Sequence, residues 1–181
     1  MKVEKLMTAD PQTCGPEDDL SVPAHHMWEA DCGCVPVVDR DRHVVGMITD
    51  RDVCMAAYTQ GRPLREMRVG KVMSSKVHAC RMADDLEVAE QMMKSRQVRR
   101  LPVLDSDERL VGMLSLNDLA LRVAREVSPD EVASVMAAVC AHRARRVSEE
   151  AVLQPASKAE VASRTVASRR SGETAPVRGR R

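Results

Sequence analysis

The chain carries the stretch Val45-Gly46-Met47-Ile48-Thr49-Asp50-Arg51-Asp52. A matching stretch, Val111-Gly112-Met113-Leu114-Ser115-Leu116-Asn117-Asp118, lies further along the chain. Both contain the pattern Gly-x-x-(Ser/Thr)-x-x-Asp, and both begin in an apolar run that hardly alternates with polar residues. Such a run indicates a strand buried on both faces. A hydroxyl residue followed three positions later by an acid is typical of a helix start. Each stretch therefore predicts a buried strand that leads directly into a helix.

The match extends well beyond these two stretches. Residues 5–53 align with residues 71–119 without a gap, and 16 of the 49 aligned positions are identical. A gapless match of this length indicates one supersecondary unit used twice. Because two copies are too few for an open solenoid, we expect them to close on each other about a pseudo-two-fold axis.

Each copy predicts the order strand, helix, strand, strand, helix, which is a mixed α/β (α+β) fold. Apolar residues at helical spacing predict a first helix over residues 19–30, where Pro23 is tolerable only within the first turn. Two apolar runs around a short polar turn then predict a hairpin. The runs are residues 35–39 and 44–48 in the first copy, and 101–105 and 110–114 in the second. Paired acids, Asp18-Asp19 and Asp84-Asp85, are good N-caps for the first helix of each copy.

These elements set the expected domain boundaries. The first repeat is predicted over residues 3–62 and the second over 69–127. A Ser, a Pro at the first helical position and a Glu three after the cap predict an extra helix over 128–146. Residues 147–181 are rich in Ala, Ser, Arg and Val and lack aromatics, so we expect a disordered tail there.

Composition excludes several classes of protein. The formal net charge is +1, so no global field draws the chain to nucleic acid or membrane. Trp28 and Tyr58 are its only aromatic residues, which excludes an aromatic platform for single-stranded nucleic acid. No apolar run approaches the roughly 20 residues needed to span a bilayer, and no signal peptide is recognisable. We therefore expect a cytoplasmic protein whose six cysteines are reduced thiols.

The matched pattern suits the recognition of a ribose phosphate. A hydroxyl and free backbone N–H groups at a helix N-terminus favour an anion, and a carboxylate one turn further can accept both hydrogens of a vicinal diol. The alternative is structural, because Ser/Thr-x-x-Asp is also a near capping box in which the acid satisfies a backbone N–H. The glycine at a fixed offset, the buried strand and the occurrence in both copies favour the ligand role.

As a set, these motifs closely resemble tandem CBS domains, the Bateman module, over about residues 3–125. The resemblance is carried by Met7-Thr8 and Met73-Ser74, by residues 35–39 and 101–105, and by the two stretches quoted first. It implies two repeats that pack sheet to sheet and leave two clefts for AMP, ADP, ATP, S-adenosylmethionine or a related adenosyl ligand. Such modules pair into disc-like dimers and regulate an attached protein.

The resemblance also implies roles for particular residues. The hydroxyl and acid that contact ribose and phosphate correspond to Thr49 with Asp52, and to Ser115 with Asp118. Backbone and side chains just before the first hairpin strand flank the base in that family, which points to Cys34, Val35, Arg100 and Leu101. Thr8 and Ser74, at the start of each repeat, are weaker candidates.

Other polar residues have weaker claims to a function. Arg51, Arg99 and Arg100 are candidates to neutralise phosphate, although Arg is common on any surface. His25-His26 with Cys32 and Cys34 lacks both the symmetry and the spacing of a zinc site, so we predict no metal. No catalytic motif is recognisable, and we predict no enzyme activity and no catalytic cofactor.

Two functions therefore remain open. The first is a non-catalytic, standalone regulatory module that binds an adenosyl ligand and signals to an unknown protein partner. The alternative is a structural dimerisation module with vestigial clefts. In either case we expect a homodimer, formed through apolar helix faces around Leu20–Met27 and Leu86–Met93. Nucleic acid and membrane are not expected partners.

Overall fold

The architecture comes from a computed structural model, which describes residues 1–126 and 129–141. The first repeat contains β1 (Thr8–Ala9), α1 (Ser21–Glu29), β2 (Cys34–Val38), β3 (Val44–Thr49) and α2 (Asp50–Gln60). The second contains β4 (Cys80–Arg81), α3 (Leu86–Arg96), β5 (Arg100–Leu104), β6 (Leu110–Ser115) and α4 (Leu116–Glu126), and is followed by α5 (Pro129–Cys140). The predicted mixed α/β fold with two hairpins is confirmed.

The two repeats exchange their first strands. Strand β1 of the first repeat pairs antiparallel with β6 of the second, with Thr8 opposite Met113, in a four-stranded sheet of order β1-β6-β5-β4. At the position equivalent to Thr8, Ser74 forms an antiparallel bridge with Met47 in β3 of the first repeat, beside the β2–β3 pair. The short segment around Cys14 lies parallel to β2, as β4 lies parallel to β5.

The exchange includes the short 3₁₀ helices that precede these strands, Val3–Lys5 and Val69–Lys71. We call residues 3–9 and 69–75 the lead-in segments. The Val3 N–H donates to the Asp84 carbonyl at 3.0 Å, and the Val69 N–H donates to the Asp18 carbonyl at 2.9 Å. Each lead-in segment is therefore bonded to the body of the other repeat, which ties the pair together.

Each repeat has its own hydrophobic core, completed by the other repeat's lead-in segment. Val3 belongs to the core built from the second repeat, and Val69 to the core built from the first; both are 0% exposed. Because aromatics are absent from both cores, aliphatic side chains, Met and Cys fill them, including the equivalent residues Cys14 and Cys80. Burial raises the pKa of each of these two thiols to about 12, so both stay protonated at neutral pH.

The aspartates expected to cap the first helices act differently. Helix α1 begins after Leu20, with no side-chain cap, and Asp85 precedes α3 without capping it. Asp85 instead forms a 3.0 Å ion pair with Lys2 of the opposite repeat. Asp18 closes a turn by accepting from the Gly15 N–H at 2.7 Å, and Asp84 does the same with the Arg81 N–H at 2.8 Å. These carboxylates position the chain before each helix.

Helix α5 covers one face of the second repeat. Its Val135 and Val139 are 3% and 5% exposed and join the core that contains α3 and α4. Of the predicted helix over residues 128–146, only this part lies within the described residues, and the tail predicted over 147–181 lies outside them. Within the described part of the chain, no helix is long and apolar enough to cross a membrane.

The helix faces expected to drive dimerisation are not at the surface. Leu20 and Met93 are 0% exposed, and Met27 and Leu86 are 7% and 3% exposed, because these side chains fill the two cores. The prediction that they form an exposed patch was wrong: helical spacing identifies the apolar side of a helix, and that side faces the sheet of its own repeat.

Candidate functional site

The two quoted stretches have the same geometry in the two repeats. In each, the hydroxyl residue ends a strand and the aspartate lies in the first turn of the next helix. The Asp52 Oδ2 accepts from the Thr49 N–H at 3.0 Å and from its hydroxyl at 2.7 Å, while the Asp52 N–H donates to Thr49 Oγ1 at 3.2 Å. The matching distances at Ser115 and Asp118 are 2.7, 2.6 and 3.2 Å.

The capping box that was weighed as an alternative is therefore present in both repeats. It does not exclude a ligand, because the box engages only Oδ2 of each carboxylate. The other oxygen, Oδ1, remains available as an acceptor for a diol. The box also fixes the carboxylate relative to the helix N-terminus, which pre-organises a site for a sugar phosphate.

A cavity of about 380 Å³ opens beside Ser115 and Asp118, and we call it the Ser115 cleft. Its volume lies within the range of small-molecule sites. Its wall combines the chain in and after β1, the loop between α1 and β2, strand β2, the start of β5, and the end of β6 with the start of α4. The lining residues are Thr8, Asp10, Pro11, Gln12, Ala30, Asp31, Cys32, Cys34, Pro36, Arg100, Met113, Ser115, Asn117 and Asp118.

The residues beside Thr49 and Asp52 that correspond to the lining of the Ser115 cleft define a second site, which we call the Thr49 cleft. The internal alignment of residues 5–53 with 71–119 relates the two clefts, and the Met47–Ser74 bridge reproduces the pairing of Met113 with Thr8. A second cavity, of about 440 Å³, is lined by the segment before β4 and by α3, and Thr49, Asp52 and Ser74 do not line it. Its lining includes Val77, His78 and Arg96, which correspond to Pro11, Gln12 and Ala30 of the Ser115 cleft.

The ten residues proposed for the site fall into three groups. Thr8, Cys34, Arg100, Ser115 and Asp118 line the Ser115 cleft. Thr49, Asp52 and Ser74 lie on the pseudo-symmetric side, in the Thr49 cleft. The third group, Val35 and Leu101, lines neither cleft with its side chains. Val35 and Leu101 are 1% and 0% exposed and belong to the two cores. Alternation along a strand sends Val35 and Leu101 to the face opposite their predecessors.

Arg100 is the cation of the Ser115 cleft. It lies close to the Cys34 thiol, and a Cβ added at Gly33 would come within 3.8 Å of its Nη1 and 3.2 Å of Asp50 Oδ2. Burial raises the pKa of Cys34 to about 11, although Arg100 opposes that rise through its charge and a hydrogen bond. The neighbouring Arg99 points elsewhere, with its Nη2 3.9 Å from the Cys140 sulfur on α5. Of the two adjacent arginines, Arg100 is therefore the one placed to meet a phosphate.

Sequence reasoning missed most of the remaining lining residues. Asp10, Gln12 and Asp31 lie in loops that carry no motif, and Asn117 lies inside the motif at a position where the two copies differ. Reading the internal alignment for differences as well as identities would have found them.

The His and Cys residues weighed as metal ligands are not clustered. His25 and His26 lie as neighbouring rings on α1, 6.3 Å apart, and they form no group with Cys32 and Cys34. Within the described ranges, the one group with ligand-like spacing is Asp39, Asp41 and His43 in the β2–β3 turn. Its carboxylate Asp39 Oδ1 already accepts from the backbone N–H groups of Asp41 and His43, both at 2.9 Å.

The family model of the CBS domain matches the chain twice, at residues 3–58 and 69–125. The chain belongs to the CBS-domain family. It is 35% identical over 119 residues to CBS domain-containing protein YhcV of Bacillus subtilis, which covers 66% of this chain and 83% of YhcV. The structure of CBSX2 in complex with AMP has a TM-score of 0.59 and 25% identity, and covers 68% of this chain and 98% of CBSX2.

The same fold occurs in the CBS pair of protein MJ0100, solved with 5′-methylthioadenosine and S-adenosylmethionine. The TM-score is 0.62 at 18% identity, over 68% of this chain and 96% of that one. The resemblance to tandem CBS domains is confirmed, because the family model matches both repeats and the fold is that of a CBS domain pair.

Proposed function

We propose that this CBS protein is a non-catalytic, cytoplasmic regulatory module that binds an adenine nucleotide, or a related adenosyl ligand, in its clefts. The observation that carries the proposal is the Ser115 cleft: a cavity of about 380 Å³ in which a helix N-terminus, the Ser115–Asp118 pair and Arg100 converge. The helix N-terminus would contact the phosphate of a nucleotide, the Ser115–Asp118 pair its ribose, and Arg100 would neutralise its charge. The likeness to CBSX2, which is known with AMP, supports the ligand class.

The chemistry of the cleft favours binding over catalysis. The buried nucleophile nearest the ligand would be Cys34, and burial holds its pKa at about 11. A protonated thiol is a poor nucleophile. The Asp118 carboxylate is committed to its capping box, which suits an acceptor of fixed position.

Signalling to a partner needs a route out of the cleft. The loop between α1 and β2 provides one, because Cys32 lines both the Ser115 cleft and a groove of about 500 Å³ between α1 and α2. Asp50, which lies beside Gly33 and near Arg100, lines that groove too. A ligand that moves this loop changes the groove, and a ligand with different affinity for the two shapes shifts their populations.

The groove between α1 and α2 is also the surface that we propose for a homodimer. Trp28 and Tyr58, the only aromatics in the chain, are 83% and 82% exposed on these helices, and Met55 is 47% exposed. The corresponding face of the second repeat is covered by α5. Exposed Trp and Tyr are typical of interface hot spots, which favours this face over the buried one expected from the sequence.

The proposal is tested by a thermal-shift panel of AMP, ADP, ATP, NAD(H) and S-adenosylmethionine, since a ligand that prefers the native state raises the unfolding midpoint. Calorimetric affinities of Asp118→Ala and Asp52→Ala follow for any hit. Losing charge-assisted bonds to ribose costs about 1.5–3 kcal/mol, or roughly 10- to 150-fold in affinity. Because the same change removes a cap worth about 1 kcal/mol, the affinities are measured well below each variant's midpoint.

A 2′,3′-dideoxy analogue of the hit is the matched control, because it removes the diol from the ligand. It should bind wild type weakly and be nearly indifferent to the Asp→Ala change. Equal affinity of the dideoxy and parent nucleotides for wild type would contradict the ribose role. No response to any ligand of the panel would favour the alternative, a structural module in which the capping boxes alone explain Ser115 with Asp118 and Thr49 with Asp52.

A further inference from the structure

The charged residues of the two clefts differ at equivalent positions. The described lining of the Ser115 cleft contains three carboxylates, Asp10, Asp31 and Asp118, and one guanidinium, Arg100. In the Thr49 cleft the aspartate of the motif is retained as Asp52, but the other acids are not. Asp10 is replaced by Lys76, Asp31 by Gln97, Asn117 by Arg51 and Ala30 by Arg96.

The equivalence of these positions is structural as well as sequential. Asp31 and Gln97 both follow the first helix of their repeat and have positive φ angles, of 46° and 52°. Arg51 and Asn117 both lie in the first turn of the helix that carries the capping aspartate. Arg96 corresponds to Ala30 of the Ser115 cleft and lines the cavity of about 440 Å³ together with His78.

Neighbouring charges reduce this contrast. Asp50, whose equivalent is Leu116, adds an acid to the first turn of α2 beside Arg51. The guanidinium of Arg42 lies 3.3 Å from Asp10 and offsets its charge at the mouth of the Ser115 cleft. The residue equivalent to Arg42 is Glu108, which is paired with Arg81. Asp31 is thus the acid that most distinguishes the Ser115 cleft, while Arg51 at the helix N-terminus most distinguishes the Thr49 cleft.

We propose that the two clefts sort adenosyl ligands by phosphate charge. The Thr49 cleft binds a nucleoside di- or triphosphate, and the Ser115 cleft binds an adenosyl ligand without a polyphosphate. The physical reason is that each phosphate adds about one to two negative charges. Cations at three of the aligned positions, Lys76, Arg51 and Arg96, attract such a chain, whereas Asp31 and Asp10 oppose it. This inference rests on the proposed function, because it assigns ligands to the same two clefts.

The test uses the full chain, isothermal titration calorimetry and two probes, ATP and the uncharged 5′-methylthioadenosine. Asp52→Asn and Asp118→Asn each weaken one cleft while keeping an amide oxygen to accept the capping bonds. We expect Asp52→Asn to lower the affinity for ATP about tenfold and Asp118→Asn to change it less than about twofold. For 5′-methylthioadenosine the order should reverse.

Charge variants then test the cause. Arg51→Asn gives the Thr49 cleft the residue of its counterpart, and should lower ATP affinity about three- to tenfold without changing the affinity for 5′-methylthioadenosine. The loss should shrink at high salt, because exposed charges are screened. Arg65→Asn is the matched control: it removes an exposed arginine near the opposite end of α1, beside Asp19, and should leave ATP affinity unchanged.

The outcomes separate the inference from the function that it deepens. If Asp52→Asn and Asp118→Asn weaken ATP equally, or if only Asp118→Asn does, nucleotide binding stands and sorting by charge is wrong. Sorting is also wrong if Arg51→Asn and Arg65→Asn behave alike. If neither probe binds wild type but another ligand of the thermal-shift panel does, sorting by charge is wrong. If no ligand of that panel binds, the proposed function itself is wrong.

Discussion

Replacing Gly112 with Ala tests the exchange of lead-in segments directly. A Cβ at Gly112 would lie 2.5 Å from Met7 Sδ and 3.1 Å from the Thr8 carbonyl oxygen, both on the lead-in segment of the other repeat. Gly46 has the same relation to Met73 and Ser74. The glycine in the motif is therefore explained by close approach of a strand, independently of any ligand.

The magnitude follows from two opposing effects. Because the φ angle of Gly112 is not positive, Ala alone would stabilise the fold by about 0.4–1 kcal/mol through the unfolded chain. Overpacking against Met7 costs about 1–3 kcal/mol. We expect a net loss of about 1–2 kcal/mol in the free energy of unfolding, measured by urea denaturation and circular dichroism.

The packing argument is tested by introducing Gly112→Ala into a Met7→Ala variant. With the sulfur gone, the overpacking cost should disappear and Gly112→Ala should become neutral to slightly stabilising, so a double-mutant cycle should give a coupling energy of about 1–3 kcal/mol. Gly61→Ala is the control: Gly61 has φ +61° and no atom within 4 Å of an added Cβ, so its cost is backbone strain and should be the same in both backgrounds. An equal cost of Gly112→Ala with and without Met7 would refute the packing argument.

Three further predictions concern other parts of the chain. Cys14 should react far more slowly than exposed Cys54 with a thiol reagent at pH 8, because its pKa is raised to about 12 and its side chain is only 3% exposed. Mass spectrometry follows the two rates, and equal rates would show that the core opens readily. Deletion of residues 147–181 should move the unfolding midpoint by less than about 2 °C, whereas a larger drop would show that the tail packs on the fold. Wild type should sediment as a dimer, and joint replacement of Trp28 and Tyr58 by Ser should weaken it at least about tenfold; a wild-type monomer at micromolar concentration would overturn the proposed interface.

The sequence predicted those features that depend on local patterns. Apolar runs around short polar turns identified both hairpins, helical spacing identified the first helices, and the internal alignment identified the pseudo-two-fold relation. The strand exchange was beyond such patterns, because the two possible partners of Thr8 are the same: Val-Gly-Met occurs at residues 45–47 and at 111–113. Which copy is chosen depends on tertiary packing of the lead-in segments, and this is not a local property.

The site shows the same division. Ser115 and Asp118 were found because their spacing is a local consequence of a strand that turns into a helix. Asp10 and Asp31 were not, since they reach the cleft from two separate loops. Val35 was assigned to the ligand because the resemblance places backbone and side chains at that point of the chain beside the base. Its side chain lies in the core, since neighbouring side chains in a strand point to opposite faces.

The exchange of lead-in segments also determines the order in which the two cores can form during synthesis. The core of the first repeat requires Val69, so it is complete only after the ribosome has passed that residue. Val3 can be buried only later in synthesis, because its core also contains Leu114, which lies near the end of the second repeat. At roughly 5–20 residues per second, synthesis of the chain between Val3 and Leu114 takes about 6–22 s. The first segment of the nascent chain is thus among the last to reach its final place, and during that interval its apolar side chains are exposed to chaperones.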